Sequence, residues 1–201
     1  MANMPRPKKL NSRERVLSPL ELAQILRTAI KLRTPYGDFI MLIFLTGLRK
    51  TEAYNLRFDW MDPYYIKIPK EFTKNGREHV IANNTIGYLP KLYNIQERVF
   101  PDNFHWSTLK KNFDELCGVK NWTHHDARRT ISTFMSEWEI ADVPTVEAIL
   151  NHVSGGSRGP VQRIYDRSTR LVPIRRAMTG WRLKLDELIA GTEPTLLKLP
   201  R

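Results

Sequence analysis

The chain has 201 residues, enough for one domain with a full core, and its 41% hydrophobic and 26% charged residues are typical of a globular protein. Its longest strongly apolar run, 39–45, is too short for a bilayer span of about 20 residues, and the basic first segment does not resemble a secretory signal. Thirty-two Lys and Arg against twenty-one Asp and Glu give a net charge of +11, which favours a polyanionic partner such as nucleic acid.

The first predicted elements are a lead-in and two helices. Residues 1–17 combine prolines and cations without apolar periodicity, which predicts a flexible linker. The Ser-Pro-Leu-Glu sequence at 18–21 offers an N-cap, a proline at the first helical position and a capping-box glutamate, so we expect a helix over 19–33. A second helix begins near Tyr36. Because it is apolar on all sides, it should be the buried central helix, interrupted at Gly47.

The middle of the chain is predicted to form a small sheet followed by short helices. A helical turn at 51–56 precedes strand-like segments at 64–68 and 79–81, and the Asn-Gly pair at 75–76 is a hairpin signal. Helical patterns follow at 86–93, 106–116, 124–138 and 144–151. The glycine-rich stretch 155–159 predicts a mobile loop. The expected fold class is therefore mainly α with a small antiparallel β-sheet (α+β).

The C-terminal part, residues 170–191, has helical periodicity, and a tail of residues 192–201 follows. Apolar residues recur in steps of four and three along one face, at Ile174, Met178, Trp181, Leu185 and Leu188. This helix either completes the core of its own chain or docks on another molecule. We expect one domain over 18–191.

The start of the helix predicted at 124–138 has the features of a phosphate site. A Thr-x-x-Asp capping box at 123–126 leaves His125 in the first turn, beside free backbone N–H groups. The positive helix end disfavours an imidazolium, so His125 should stay neutral near pH 7. Arg128 lies three residues later on the same face. The alternative is an ordinary surface helix with a basic start, and we expect that simpler role for His124 and Arg129.

Arg49 is a second candidate for binding an anion. It follows a buried helix and a glycine, where a long cation normally reaches solvent unless a partner holds it. Glu52, one helical turn later, is a suitable partner. The alternative is an ion pair between these two residues without further function.

Taken in chain order, these segments resemble the catalytic set of the tyrosine recombinases, the phage integrase family. The resemblance spans about residues 18–168. It rests on five short pieces, each of them weak alone, which are Thr46-Gly47-Leu48-Arg49-Lys50-Thr51-Glu52, Lys74, His125-Asp126-Ala127-Arg128, Leu150-Asn151-His152 and Ile164-Tyr165-Asp166-Arg167.

The resemblance implies a role for each matching residue. Arg49 and Arg128 clamp the scissile phosphate, with Glu52 as support for the first of them. Guanidinium suits this task because its planar fork binds phosphate bidentately and stays charged. Tyr165 is the nucleophile; its phenol has an ordinary pKa of about 10 and needs a base and a positive field.

Three further roles follow from the same resemblance. His125 is the general base, Lys74 in the hairpin is the general acid, and His152 hydrogen-bonds the phosphate. Lys70 and Arg77 compete with Lys74 for the acid role, since all three lie in one connection.

One feature departs from the usual family pattern. Tyr165 lies thirteen positions after His152, and the excess over the usual gap lies in the glycine-rich stretch 155–159. Such a tether predicts gating, in which Tyr165 enters and leaves the site. Replacing Gly155 and Gly156 together by alanine should then change cleavage and strand-exchange rates.

The implied function is that of a site-specific DNA recombinase from a phage, prophage or other mobile element. It would act without a cofactor on double-stranded DNA, as a homotetramer on two sites and a monomer alone, in the cytoplasm of a bacterial host. The single Cys117 fits a reducing compartment, and no zinc-ligand spacing is present in the sequence. Since nothing before residue 18 is long enough for a separate DNA-binding domain, we expect a fragment or a minimal version.

Two alternative functions use the same sequence features. One is DNA relaxation of the type IB topoisomerase kind, in which the same site works without strand exchange. The other is a non-catalytic DNA-binding module whose basic residues only contact phosphates.

Overall fold

The computed structural model describes residues 14–85, 87–88, 97–102, 105–152 and 170–191. These residues form seven α-helices and one two-stranded antiparallel sheet, as the sequence predicts. The elements are α1 (Pro19–Leu32), α2 (Pro35–Thr46), α3 (Lys50–Tyr54), β1 (Tyr65–Ile68), β2 (His79–Ala82), α4 (Trp106–Cys117), α5 (His124–Glu137), α6 (Val143–Ile149) and α7 (Leu171–Ala190). The helix expected at 86–93 lies almost entirely outside the described residues.

Helices α1 and α2 form the hairpin on which the rest of the fold packs. Ser18 and Glu21 cap α1 with the predicted capping box. Helix α2 is buried from Tyr36 to Thr46, which confirms it as the central helix. It ends at Gly47, whose φ of 69° is left-handed, so the chain turns at that point and begins α3 three residues later.

The sheet pairs Tyr65 with Ala82 and Ile68 with His79. The predicted hairpin is present, but the Asn-Gly pair does not close it as a two-residue turn. The connection spans ten residues, 69–78, and includes a 3₁₀ turn at Lys70–Phe72. Gly76 has a φ of 65°, so this residue supplies a left-handed conformation inside a longer loop.

Helices α5, α6 and α7 complete the core. Thr123 and Asp126 form the predicted capping box of α5. Helix α7 contacts α1, α2, α6 and β2 of the same chain. Its apolar face is buried there, with Ile174, Met178, Trp181, Leu185 and Leu188 all at most 4% exposed. None of the helices in the described ranges is long and apolar enough to cross a membrane.

Candidate functional site

The candidate site is built around the C-terminal end of α6. The last carbonyl groups of an α-helix have no partner within the helix, so they are free to accept hydrogen bonds from elsewhere. Here three consecutive carbonyls accept hydrogen bonds from side chains of four other segments. They belong to Ile149, Leu150 and Asn151. This short stretch therefore gathers side chains from positions 49 to 128 of the sequence, and His152 follows it directly.

Arg49 reaches this stretch from the N-terminus of α3. Its Nη2 donates to the Asn151 carbonyl at 3.0 Å, and its Nη1 donates to Glu52 Oε1 at 2.7 Å. The Arg49 backbone N–H also donates to Glu52 Oε2, at 3.0 Å. Glu52 thus fixes both the backbone and the guanidinium of Arg49, which leaves the remaining N–H groups in a set orientation.

Glu52 is completely buried and still ionised. Burial raises its pKa, but the adjacent His79 ring and the two hydrogen bonds from Arg49 outweigh burial and hold the pKa at about 2. A buried carboxylate is stable only when its oxygens are paired in this way.

His79 belongs to this network, although the sequence analysis did not identify it. It lies on β2, is 2% exposed, and places Nε2 2.8 Å from the Ile149 carbonyl, so Nε2 is the donor. Its Nδ1 lies 3.5 Å from Glu52 Oε2. The only signal in the sequence was a histidine at an inward-facing strand position, and that pattern is equally typical of a packed core residue.

Arg128 approaches from α5 and is 3% exposed. Its two terminal nitrogens donate to the carbonyls of Gly47 and Leu150. Burial, and next the charge of Arg49, lower its pKa to about 10, so the guanidinium remains charged at pH 7. Because Arg49 and Arg128 donate to the carbonyls of adjacent residues, the two cations lie close together.

His125 and His152 adjoin this pair of cations. Burial, followed by the charges of Arg129 and Arg128, lowers the pKa of His125. Burial, followed by Arg128 and Arg49, lowers the pKa of His152 to about 4. The expectation that His125 stays neutral therefore agrees with the structure. The sequence argument gave the helix end as the reason, whereas burial and the nearby arginines account for it.

Lys74 lies on the β1–β2 loop, with its side chain exposed. Its charge also contributes to lowering the pKa of His125, so the two groups share one region. The next residue fixes the loop: Asn75 Nδ2 donates to the Asn151 carbonyl at 3.0 Å and to Asn151 Oδ1 at 2.9 Å. Asn75 is a second residue that the sequence analysis missed, since asparagine before glycine normally indicates only a turn.

His124 is a packing residue, as expected. Its ring contacts four aromatic rings, those of Tyr36, Phe39, Trp106 and Trp122. The Tyr36 hydroxyl lies 3.1 Å from His124 Nε2. Burial lowers the pKa of His124 to about 3, so this imidazole is neutral at pH 7.

Two predictions concern residues outside the described part of the chain. These are the nucleophile Tyr165 and the gating loop 155–159. Within the described part, no group of three or more His, Cys, Asp or Glu side chains has the arrangement of a metal site. Among the described residues, those predicted for the site that lie together are Arg49, Arg128, His125, His152 and Lys74. Glu52, His79 and the Asn75–Asn151 pair contact this group.

Comparison with protein families matches residues 15–168 to the family described as the phage integrase family. This match covers more than half of the chain. It includes every site residue named above and the position of Tyr165. Neither the curated proteins nor the solved structures gave a match.

Proposed function

Because the chain belongs to the phage integrase family, whose members are generally DNA recombinases, we propose that it cleaves and rejoins DNA through a covalent 3′-phosphotyrosyl intermediate on Tyr165. The observation that supports this proposal most strongly is the meeting of Arg49 and Arg128 at the end of α6. Two guanidinium groups at one place, next to two neutral imidazoles, are a set of side chains suited to binding a phosphodiester.

The proposed reaction is an exchange of phosphate esters. The Tyr165 oxygen attacks the scissile phosphorus, the new O–P bond forms, and the bond to the 5′ oxygen breaks. His125 takes the phenol proton, and Lys74 gives a proton to the departing 5′ oxygen. The two arginines stabilise the charge that develops on the non-bridging oxygens. Since one ester replaces another, religation to a partner strand needs no external energy source.

Neutral imidazole at position 125 is a requirement of this scheme. A base must be unprotonated before it can accept the phenol proton, and the lowered pKa of His125 meets that condition at pH 7. The surrounding cations also favour the phenolate over the phenol. The same positive field therefore supports both the base and the nucleophile.

The biological setting belongs to the same proposal. We infer that the substrate is double-stranded DNA, that four copies act on two duplexes, and that the reaction serves the integration or excision of a phage or other mobile element. A bacterial cytoplasm is the compartment in which such a substrate is found.

The test is the trapping of a covalent protein–DNA adduct. A pool of nicked duplexes with randomised sequence is incubated with the protein, the mixture is denatured with detergent, and the attached DNA is sequenced. Wild-type protein should form an adduct with a shared sequence, because loss of the nicked fragment prevents religation. Tyr165→Phe should abolish it. Tyr64→Phe changes a tyrosine that is 59% exposed and outside the site, so it should leave the adduct intact.

Other outcomes separate the alternatives. An adduct that persists in Tyr165→Phe means that another residue is the nucleophile. Relaxation of supercoiled DNA without recombinant product indicates the topoisomerase-like activity. Binding of DNA without any adduct indicates a non-catalytic module.

A further inference from the structure

Beside the proposed phosphate site lies a cavity of about 490 Å³, between residues 14–16 and α5, which we call the flanking cleft. Its lining residues are Glu14, Val16, His125, Arg128, Arg129, Ser132, Thr133 and His152. The wall opposite α5 is held in place because the backbone N–H of Leu17 donates to Thr130 Oγ1 at 3.0 Å. One end of the cleft is the phosphate site described above. The other end is lined by α5 side chains to which the proposed reaction gives no role.

Arg129 is the cation of this second end. Its Nε is buried, and it has no hydrogen-bond partner in the described part of the chain. Leaving a buried N–H group without a partner is unfavourable, so such a group marks a place where an acceptor is expected. Of the nearby charges that lower the pKa of His125, that of Arg129 has the largest effect. Its guanidinium is therefore close to the candidate base.

Two hydroxyl groups share the face of Arg129. Ser132 and Thr133 are three and four residues later on α5, which places them beside Arg129 on the helix surface. Both side chains are half-buried and line the cleft. A guanidinium and two hydroxyl groups one helical turn away form a set of hydrogen-bond donors suited to phosphate oxygens.

We propose that the flanking cleft binds a second DNA backbone phosphate, next to the scissile one, with Arg129 as its charged ligand and Ser132 and Thr133 as hydroxyl donors. This inference rests on the proposed DNA substrate, but it does not require strand cleavage. The proposal gives Arg129 a role beyond the surface or packing role that the sequence favours. Among the described residues that line the cleft, Glu14 is the one carboxylate, and its charge opposes anion binding there.

The test measures the salt dependence of binding to a generic 30-bp duplex by fluorescence anisotropy. All variants carry Tyr165→Phe, so covalent chemistry does not contribute. Each protein–phosphate contact contributes nearly one unit to the slope of log affinity against log salt. Arg129→Gln should therefore weaken binding at low salt and reduce the slope by about one, whereas Arg129→Lys should keep the slope. Glu14→Gln should strengthen binding.

Lys31→Gln is the matched control, since it removes one exposed cation of α1 that does not line the cleft. It should leave the slope close to that of the parent protein. An unchanged slope in Arg129→Gln, or an equal loss in Lys31→Gln, would overturn the proposal. Thermal unfolding of each variant checks that the fold is kept.

A measurement on the wild-type protein makes the test independent of any variant. Inorganic phosphate is titrated while the Arg129 Nε–H and His125 ring signals are followed by NMR, with chloride at equal ionic strength as the comparison. Both signals should shift together with phosphate and not with chloride. Absence of a phosphate-specific shift at Arg129 contradicts the inference. If these shifts and the slope change occur but no adduct ever forms, the flanking cleft stands and the proposed cleavage is wrong.

Discussion

Glu52 is fully buried, and its negative charge is the centre of the network that orients Arg49. A carboxyl whose pKa is about 2 in the folded chain and 4.5 in its ordinary state contributes about 3 kcal/mol to stability at neutral pH. Since the folded pKa is the lower one, this contribution is complete above pH 4.5. It is lost as the pH falls from 4.5 through about 2.

Glu52→Gln should therefore lower the free energy of unfolding at pH 7 by about 3 kcal/mol and flatten its pH dependence between 4.5 and 2. Urea denaturation at a series of pH values measures both effects. Glu115→Gln, at an exposed position of α4, is the control and should change neither. A Glu52→Gln curve with the same acid slope as wild type would mean that other carboxyls cause the loss.

The residues of the site differ in how well the sequence reveals them. Arg49, Arg128 and His125 were predictable because each lies at a helix end or in a spaced motif. His79 and Asn75 were not, because their importance comes from contacts with the carbonyls of Ile149 and Asn151, which are about 70 positions away. A backbone carbonyl leaves no trace in the sequence, so a site assembled on three of them cannot be deduced from residue types.

The β1–β2 loop is longer than the Asn-Gly pair in the sequence predicts. The Asn-Gly pair predicted a turn, and a turn is present, but the loop is longer because it extends to the end of α6. Asn151, with a φ of 46°, presents both its carbonyl and its side chain to Asn75. The loop that carries Lys74 is thus attached to the same residue that Arg49 binds.

Asn75→Ala should release this loop. It removes two donated hydrogen bonds, so local opening of residues 73–78 should become easier by about 1–2 kcal/mol, which corresponds to roughly 5- to 30-fold faster amide hydrogen exchange. The Arg49 contact with Asn151 remains, so the rest of the site should keep its protection. Asn112→Ala, on the exposed face of α4, is the control. Unchanged exchange in the loop would show that Asn75 does not hold it.

Gly47 joins the central helix to the site through its conformation and its small size. Its φ is 69°, and an added Cβ would lie 2.9 Å from Leu150 Cδ2. The left-handed conformation alone costs a residue with a side chain about 1–2 kcal/mol of stability, and the close contact with Leu150 adds to this cost. Gly118 separates the two effects, because its φ is 72° and nothing lies within 4 Å of its added Cβ.

Gly47→Ala should consequently destabilise the protein more than Gly118→Ala, which should cost only the conformational part. Denaturant unfolding of the two variants gives the difference directly. Equal losses would mean that Leu150 moves aside without cost. In that case the contact between α2 and the end of α6 would be less rigid than the structure indicates.

At the scale of the whole molecule, the sequence revealed the class of fold because the strongest patterns belong to long elements. The capping boxes of α1 and α5 and the apolar α2 were each recognisable within a dozen residues. The sequence did not reveal which elements α7 packs against. An apolar stripe shows that one face of a helix is buried, but it does not show what covers that face. The structure places that stripe against α1, α2, α6 and β2 of the same chain.

Removal of residues 170–201 should therefore unfold the protein rather than leave a stable monomer. Trp181 illustrates the reason: it is 0% exposed, its Nε1 donates to the Phe44 carbonyl at 2.7 Å, and its ring stacks near Trp138. Trp181→Ala should lower the free energy of unfolding by about 3–5 kcal/mol. Val172→Ala, at a position of the same helix that is 80% exposed, should change it by less than about 0.5 kcal/mol. Urea denaturation and near-ultraviolet circular dichroism measure these effects. A chain ending at residue 169 that remains folded and monomeric, with wild-type stability, would show that α7 is not part of the core.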